Sequence, residues 1–217
     1  MSNVAKTGAN SLIDGLVDDL APVRTLKPSG GMAVAAILML AVSSSVAFFL
    51  GVRGDLAMGM AHQMFFLRSG VLLMLGFATA LAAVNMARPG VGNLNRGWIW
   101  ALVTAALFPL TAAIMSAINM PPVEALRPNE GMRCLTVSMM SALVIGGGLT
   151  TWLRQGAPTS PERAGWLVGI ASGALGAAAY NIFCPFNDIY YIGLWFTLPV
   201  LVSAIVGRIV VPHLIRW

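Results

Sequence analysis

The chain has 217 residues, of which 58% are hydrophobic and only 10% are charged. Soluble domains are close to half apolar and about a quarter charged, so this composition excludes an ordinary soluble domain. The formal net charge is +5. We expect the loop positions of the lysines and arginines to explain this charge without a nucleic-acid partner.

Residues 1–31 form a polar segment, for which we predict one short amphipathic helix and no cleavable signal peptide. Within Ser11–Leu20 the apolar residues fall on one helical face and the aspartates on the other. A helix of about ten residues is unstable alone in water and therefore has to dock. Two docking surfaces stay open, a groove in a protein partner and the cytoplasmic loops of the same chain. The apolar anchors are Leu12, Ile13, Leu16, Val17 and Leu20.

Six apolar runs follow, and each is long enough to cross a ~30 Å hydrocarbon core as a helix. They are Met32–Val52, Ser69–Ala87, Gly97–Asn119, Cys134–Leu153, Ala164–Phe183 and Tyr191–Val211. The predicted fold class is all-α, a polytopic membrane protein with six transmembrane helices (residues 32–217) and a short cytoplasmic amphipathic N-terminal helix (residues 1–31). Gly165, Gly169 and Gly173 recur at four-residue spacing, which predicts close helix packing. Pro199 is expected to kink the last span.

The lysines and arginines predict the orientation of this bundle. With six spans both termini share one side, and most lysines and arginines lie on that side. The opposite side carries only Arg53, Arg68, Arg127 and Arg133. Because cytoplasmic loops carry the excess of positive residues, both termini are predicted to be cytoplasmic.

Cys134 and Cys184 are the two cysteines of the chain. Cys134 opens one apolar run and Cys184 follows the next, so six spans place both at the outward end of one helical hairpin. Adjacent helices lie ~8–10 Å apart, whereas a disulfide needs Cα atoms roughly 4.4–6.8 Å apart. Three alternatives therefore stay open: a structural disulfide, two inert buried thiols, and a reactive pair that senses oxidants or thiophilic metal ions. The absence of Cys-x-x-Cys disfavours a disulfide oxidoreductase.

A weaker metal candidate lies in the first outward loop, where thioether and imidazole groups at short spacing suit soft ions such as Cu(I). Its residues are Met58, Met60, His62 and Met64. Methionine is also an ordinary packing residue, and the chain has 13 of them. No ionisable residue is expected deep inside a span, which disfavours an ion-coupled transporter. The sequence contains no recognisable catalytic or phosphate-binding constellation, so we expect neither an enzyme nor a cofactor.

The stretch from Leu12 to Arg24, followed by Leu26 to Pro28, resembles the opening of the NrsF-type membrane anti-sigma factors. The Phe-Cys-Pro sequence around Cys184, the terminal Arg-Trp pair, the six spans and the isolated Cys134 are similar to that family as well. This resemblance implies a negative regulator of an extracytoplasmic-function sigma factor. It would act in stress-responsive transcription regulation from the inner membrane of a Gram-negative bacterium.

The resemblance also assigns roles to particular residues. Sensing of heavy-metal or oxidative stress falls on Cys134 and Cys184, and the cytoplasmic segment holds the sigma factor. Contact with the sigma factor falls on Leu12, Ile13, Leu16, Asp19, Leu20, Pro22 and Val23. The implied partners are the sigma factor and the lipid bilayer, without direct contact to nucleic acid. The alternatives are a small inner-membrane transporter or metal-handling protein, and a purely structural membrane subunit.

Overall fold

The computed structural model describes residues 26–60, 62–87, 97–118, 127–156, 158 and 160–215. The regular structure of these residues is helical throughout, which confirms the all-α prediction for them. The helices are α1 (Pro28–Leu50), α2 (Gly54–Ala57), α3 (Gln63–Met86), α4 (Gly97–Ile118), α5 (Pro128–Leu153), α6 (Pro161–Tyr180), α7 (Ile189–Trp195) and α8 (Thr197–Ile215). The predicted N-terminal helix and every predicted sigma-contact residue lie outside the described residues.

Each of the six predicted runs coincides with a helix or, for the last run, with the pair α7 and α8. Four helical stretches are long and apolar enough to cross a membrane: α1, α3, α5 and the combined stretch Ile189–Ile215. The first of these begins at Pro28, four residues before the predicted start of the span. The count of six spans stays a prediction for α4 and α6.

Helix α6 is the centre of the bundle. Every residue from Leu167 to Tyr180 is buried, and α6 packs against α3, α5, α8 and α1. Its sequence is rich in glycine, alanine and serine rather than in large apolar residues. A helix whose neighbours are other helices needs small side chains for close approach, whereas a lipid-facing helix needs apolar bulk. This position explains why α6 is built from small residues.

The predicted glycine packing is confirmed along the contact between α6 and α8. A Cβ atom placed on Gly165 would lie 2.6 Å from a backbone carbonyl oxygen of α8, and one on Gly173 would lie 2.8 Å from another. A Cβ atom on Gly169 would overlap a third such oxygen. The carbonyl groups belong to Gly207, Pro199 and Ser203, respectively. The two helices are therefore in backbone contact over several turns.

Large apolar side chains cover the outer faces of the bundle. Phe48 and Phe49 are 82% and 79% exposed, and similarly exposed residues recur on α5 and α8, including Met140 and Leu201. Soluble monomers rarely expose continuous apolar surface of this kind, whereas lipid-facing helices do. The exposed apolar faces agree with the membrane assignment made from helix length and composition.

The helix ends meet in two groups at opposite ends of the bundle. At one end, a Cβ atom on Gly156 would lie 2.9 Å from the side chain of Ala87 and 3.1 Å from that of Leu26. At the other end, the amide of Arg53 donates to the carbonyl of Ile182 (3.1 Å). We call this second group, which includes the start of α5 and all of α7, the thiol end because it contains both cysteines.

Candidate sensing site at the two cysteines

Both cysteines lie in one buried cluster at the thiol end. The side chains of Cys134 and Cys184 are 0% exposed, and both thiols are free. Aromatic rings from α6, α7 and the turn after α7 complete the cluster: Tyr180, Tyr191, Trp195 and Phe196. The prediction that the two thiols lie at the same end of one hairpin is therefore confirmed. In this structure they form a reduced pair and not a disulfide.

The thiol of Cys134 is hydrogen-bonded to the carbonyl oxygen of Trp195, with an S···O distance of 3.5 Å. In a continuous helix that carbonyl would accept the amide of residue 199, four positions later. Residue 199 is a proline, which has no N–H to donate. The helix is interrupted at Phe196, between the end of α7 at Trp195 and the start of α8 at Thr197. The Cys134 thiol therefore donates to the carbonyl that Pro199 cannot reach.

A glycine makes this contact between α5 and α7 possible. A Cβ atom on Gly131 would overlap three ring atoms of the Trp195 indole. Only a residue without a side chain lets the first turn of α5 approach the indole so closely. Gly131 lies one turn before Cys134 on the same helix, so the approach also positions the thiol. The pairing of α5 with the helix break thus depends on Gly131 and Pro199 together.

Cys184 lies on the irregular segment that follows α6, where Arg53 holds its backbone. The Nη1 atom of Arg53 donates to the carbonyl oxygen of Cys184 (2.9 Å). The remaining face of this guanidinium forms two hydrogen bonds with the carboxylate of Asp55, at 2.5 and 2.6 Å. The bond from Arg53 lowers the pKa of the Asp55 carboxyl, so the pair stays charged. The backbone of Cys184 is therefore fixed by a neutralised arginine.

Arg68 is the second arginine at this site, and its side chain is 0% exposed. Its Nη1 atom donates to the carbonyl oxygen of Phe186 (3.0 Å), and its guanidinium carbon lies 4.3 Å from the ring centroid of Phe196. The expectation that Arg68 lies in a loop is wrong, because α3 begins at Gln63 and includes it. Arg68 lies in the second turn of this helix and faces the buried cluster.

The other two arginines of the predicted outward side also contact the segment that carries Cys184. Arg127 stacks on the ring of Phe186 at 4.6 Å, and Arg133 stacks on the ring of Phe183 at 4.8 Å. Arg127 has a left-handed backbone conformation (φ 40°) at the start of α5, which is uncommon for a residue with a side chain. All four arginines on the sparsely charged side of the sequence therefore converge on residues 182–186. In the sequence, these arginines stand out because they lie on the side of the predicted bundle that carries few positive residues. That position was the sequence signal for a structural role.

Two further polar groups are buried beside the thiols. Asn181 is 0% exposed, and its side-chain amide donates to the hydroxyl of Ser69 (2.6 Å). The hydroxyl of Tyr191, a residue of the same cluster as both cysteines, donates to the carbonyl of Glu130 (3.2 Å). Sequence reasoning missed these contacts because they join residues that are far apart in the chain.

The chemistry open to the site is that of two thiols. Burial raises the pKa of the Cys184 thiol, and the positive charge of Arg68 opposes this effect. The thiolate is the form that attacks oxidants and binds soft metal ions, so groups that stabilise it control reactivity. Within the described residues no group of three or more His, Cys, Asp or Glu side chains could hold a metal ion. A metal held there would rely on the two sulfur atoms.

The loop between α1 and α3 carries the weaker metal candidate. Its histidine has an ordinary structural role. The Nδ1 atom of His62 accepts the amide of Met64 (3.2 Å) and caps the first turn of α3. Met58 and Met60 are 68% and 70% exposed. No contact brings these methionines to the cysteine cluster in the part of the chain that the structure describes.

Comparison with known proteins gives a consistent result. The family model described as "NrsF: Negative regulator of sigma F" matches residues 16–217. The chain is 32% identical to the anti-sigma-F factor NrsF of Caulobacter vibrioides, over 96% of this chain and 99% of that protein. It is 30% identical to the probable anti-sigma-F factor NrsF of Azospira oryzae, over 86% of this chain and 85% of that protein. No solved structure matches. The chain therefore belongs to the NrsF family of negative regulators of sigma F.

Proposed function

We propose that this protein is an inner-membrane anti-sigma factor that holds an extracytoplasmic-function sigma factor and releases it under heavy-metal or oxidative stress. Cys134 and Cys184 are the proposed sensors. One observation carries the proposal: the two cysteines, 50 residues apart in sequence, are free and buried together in a member of a family of negative regulators. An inert packing role would not require two thiols in a single cluster, with four arginines on the segment that carries one of them.

The proposed topology has six spans, with both termini in the cytoplasm and the thiol end in the periplasm. Six long helical segments alternate between the two ends of the bundle, and the exposed apolar faces suit lipid. The contacts of Gly156 with Ala87 and with Leu26 lie at the end opposite the cysteines. Helix α8 begins beside the cysteines and ends at Ile215, away from them. A signal at the thiols and a sigma factor at the N-terminal segment would therefore act on opposite sides of the membrane.

The proposed sigma-binding segment is residues 1–31. Its pattern predicts an amphipathic helix with one apolar face, and the two curated relatives are named as anti-sigma factors. We expect this apolar face to lie in a groove of the sigma factor and to block its access to RNA polymerase. Leu16 is at the centre of the face. The flanking contacts are Leu12, Ile13, Asp19, Leu20, Pro22 and Val23.

The hydrogen bond from Cys134 to Trp195 provides a route from the thiols to the far side of the membrane. Oxidation of Cys134, or binding of a metal ion to it, removes the S–H donor at the break before α8. The backbone contact between α6 and α8 makes these helices move together. A change at the break would then be transmitted along α8, as rigid-helix shifts are in other switching proteins.

Two experiments test this function. In the first, induction of the sigma-dependent genes by cadmium or peroxide is measured in the Cys134→Ser, Cys184→Ser double variant, and we expect induction to be lost. Normal induction in that variant would exclude the thiol switch. In the second, residues 1–28 are deleted. An anti-sigma factor should then give constitutive expression of the regulon, whereas a transporter should keep its activity and leave expression unchanged.

A further inference from the structure

We propose that the cavity lined by Arg68 binds an acidic lipid, whose anionic head group pairs with the guanidinium and whose acyl chain lies between α4 and α8. The ligand class comprises fatty acids, which have a carboxylate head, and anionic phospholipids, which have a phosphate head. This binding site goes beyond the thiol-switch function and does not depend on it.

Arg68 carries a buried charge whose hydrogen-bonding capacity is only partly used. Its side chain is 0% exposed and its Nη1 atom donates to Phe186, but Nε and Nη2 have no hydrogen-bond partner among the described residues. The acidic residue nearest in sequence, Asp55, is already paired with Arg53. Burial raises the pKa of the Cys184 thiol, so this neighbour is uncharged at neutral pH. A buried guanidinium is costly without a counter-charge, and the described residues supply none by a salt bridge.

The two unused donors of Arg68 form the edge of the guanidinium that binds carboxylates. Arg53 uses the same two atoms, because its Nε and Nη2 donate to the two carboxylate oxygens of Asp55 at 2.5 and 2.6 Å. Parallel N–H groups of this kind match the spacing of two oxygens in a carboxylate or a phosphate. An alcohol would accept from only one of them and would leave the charge uncompensated. The free edge of Arg68 therefore favours an anion with two acceptor oxygens.

Arg68 lines a cavity of about 150 Å³ between α3, α4, α7 and α8. The ring centroid of Phe196, which also lines this cavity, lies 4.3 Å from the guanidinium carbon and holds the side chain in place. The other lining residues are apolar except Thr197. They include Leu72, Leu75, Leu102 and Val200. Apolar walls with a single charged group suit a ligand that is charged at one end and apolar along the rest.

A second cavity, of about 370 Å³, adjoins the first between α4, α7 and α8. The two cavities share the lining residues Pro109, Thr197 and Leu201. Together they reach the range of small-molecule sites, roughly 300–1,000 Å³. Leu201 is 54% exposed on the outer face of the bundle, which gives an acyl chain access from the bilayer. The first cavity thus has room for a head group and the second for the chain that follows it.

The depth of Arg68 in the bundle also fits a lipid head group. Arg68 lies in the second turn of α3, near the thiol end, and Leu75 lies seven residues further along the helix. A rise of 1.5 Å per residue places Leu75 about 10 Å deeper in the bundle. A head group near the end of the bundle and a chain directed to its middle is the arrangement of a lipid in one leaflet. An arginine buried in a helix that spans a membrane is itself a mark of a functional site.

The test uses the full-length protein in dodecyl maltoside, an uncharged detergent, with diazirine-labelled palmitate as the probe. After irradiation, mass spectrometry locates and quantifies the cross-links. We expect them on residues that line the two cavities, and we expect unlabelled palmitate to compete at least tenfold better than hexadecanol, which has no anion. Competition by palmitate but not by phosphatidylglycerol would assign a fatty acid, whereas competition by both would assign the site to phospholipids as well. Cross-links spread over the whole apolar surface, or equal competition by hexadecanol, would overturn the inference.

Two variants test the two parts of the site. Arg68→Gln should lower cross-linking about tenfold, while Arg208→Gln, at an exposed cation–π contact on Trp166, should leave it unchanged. Ala106→Phe fills the first cavity from an exposed position and should lower cross-linking severalfold. Its control is Leu110→Phe, which is exposed on the same helix and lines neither cavity. Unchanged cross-linking in Arg68→Gln or in Ala106→Phe would overturn the inference. If Arg68→Gln does not fold, Ala106→Phe and the competition by hexadecanol decide it.

Discussion

The hydrogen bond between Cys134 and Trp195 gives the sharpest prediction about signal transmission. Cys134→Ala removes the thiol donor at the break before α8, whereas Cys134→Ser keeps a donor of similar size. A hydrogen bond contributes roughly 0.5–1.5 kcal/mol, and a thiol is a weak donor, so we take about 0.5–1 kcal/mol. If this bond exists only in the sigma-holding state, its loss shifts the equilibrium toward release by about two- to fivefold.

The same bond predicts a rescue. Pro199→Ala provides the amide that a continuous helix would donate to the Trp195 carbonyl. The substitution gains about one hydrogen bond and removes buried ring carbons worth about 0.8 kcal/mol each, so global stability should change little. In this background Cys134→Ala should no longer raise basal expression, because the Trp195 carbonyl then accepts the backbone amide of residue 199.

The assay is a reporter driven by the sigma-dependent promoter, in unstressed cells with matched amounts of membrane protein. We expect Cys134→Ala to raise basal expression about two- to fivefold, Cys134→Ser to leave it at the wild-type level, and the double variant with Pro199→Ala to return to that level. Identical expression from the alanine and serine variants would refute the reasoning. A double variant that stays as high as Cys134→Ala would refute the role assigned to Pro199.

Three further predictions follow from the packing. Gly169→Ala should destabilise the bundle by about 1–3 kcal/mol, because its Cβ would overlap α8 backbone, while Gly147→Ala, with open space around it, should stay within about 1 kcal/mol of wild type in thermal unfolding. Gly131→Ala should displace the Trp195 indole and raise basal reporter expression, and an unchanged level would contradict the contact. Arg53→Gln should loosen the irregular segment that carries Cys184 and speed alkylation of this thiol severalfold, measured with a small maleimide. An unchanged rate would mean that Arg53 does not hold the segment in place.

Much of this architecture could be predicted from the sequence because it depends on short-range patterns. Runs of about 20 apolar residues predicted the long helices, and glycines at four-residue spacing on α6 predicted a close helix contact, whose partner in the structure is α8. The prediction that Cys134 and Cys184 lie at the same end of the bundle followed from counting the alternating spans. The helix bounds differ by a few residues, since a helix such as α1 begins at Pro28 in polar sequence before the apolar run.

The remaining features depend on tertiary contacts that no local pattern encodes. Arg68 looked like a loop residue because it precedes the apolar run. The helix begins before it, however, and places its side chain against the buried cluster. The pairing of Cys134 with the carbonyl four residues before Pro199 joins segments that are 61 residues apart. The predicted kink at Pro199 could be read from the sequence, but the hydrogen bond from Cys134 to the Trp195 carbonyl could not.

The most direct test of the proposed function is the binding of the extracytoplasmic-function sigma factor to the full-length protein in nanodiscs, before and after oxidation by peroxide. We expect the reduced protein to bind the sigma factor, the oxidised protein to release it, and a reductant to restore binding. The Cys134→Ser, Cys184→Ser variant should stay bound throughout. A sigma factor that remains bound to the fully oxidised wild-type protein would contradict the thiol switch.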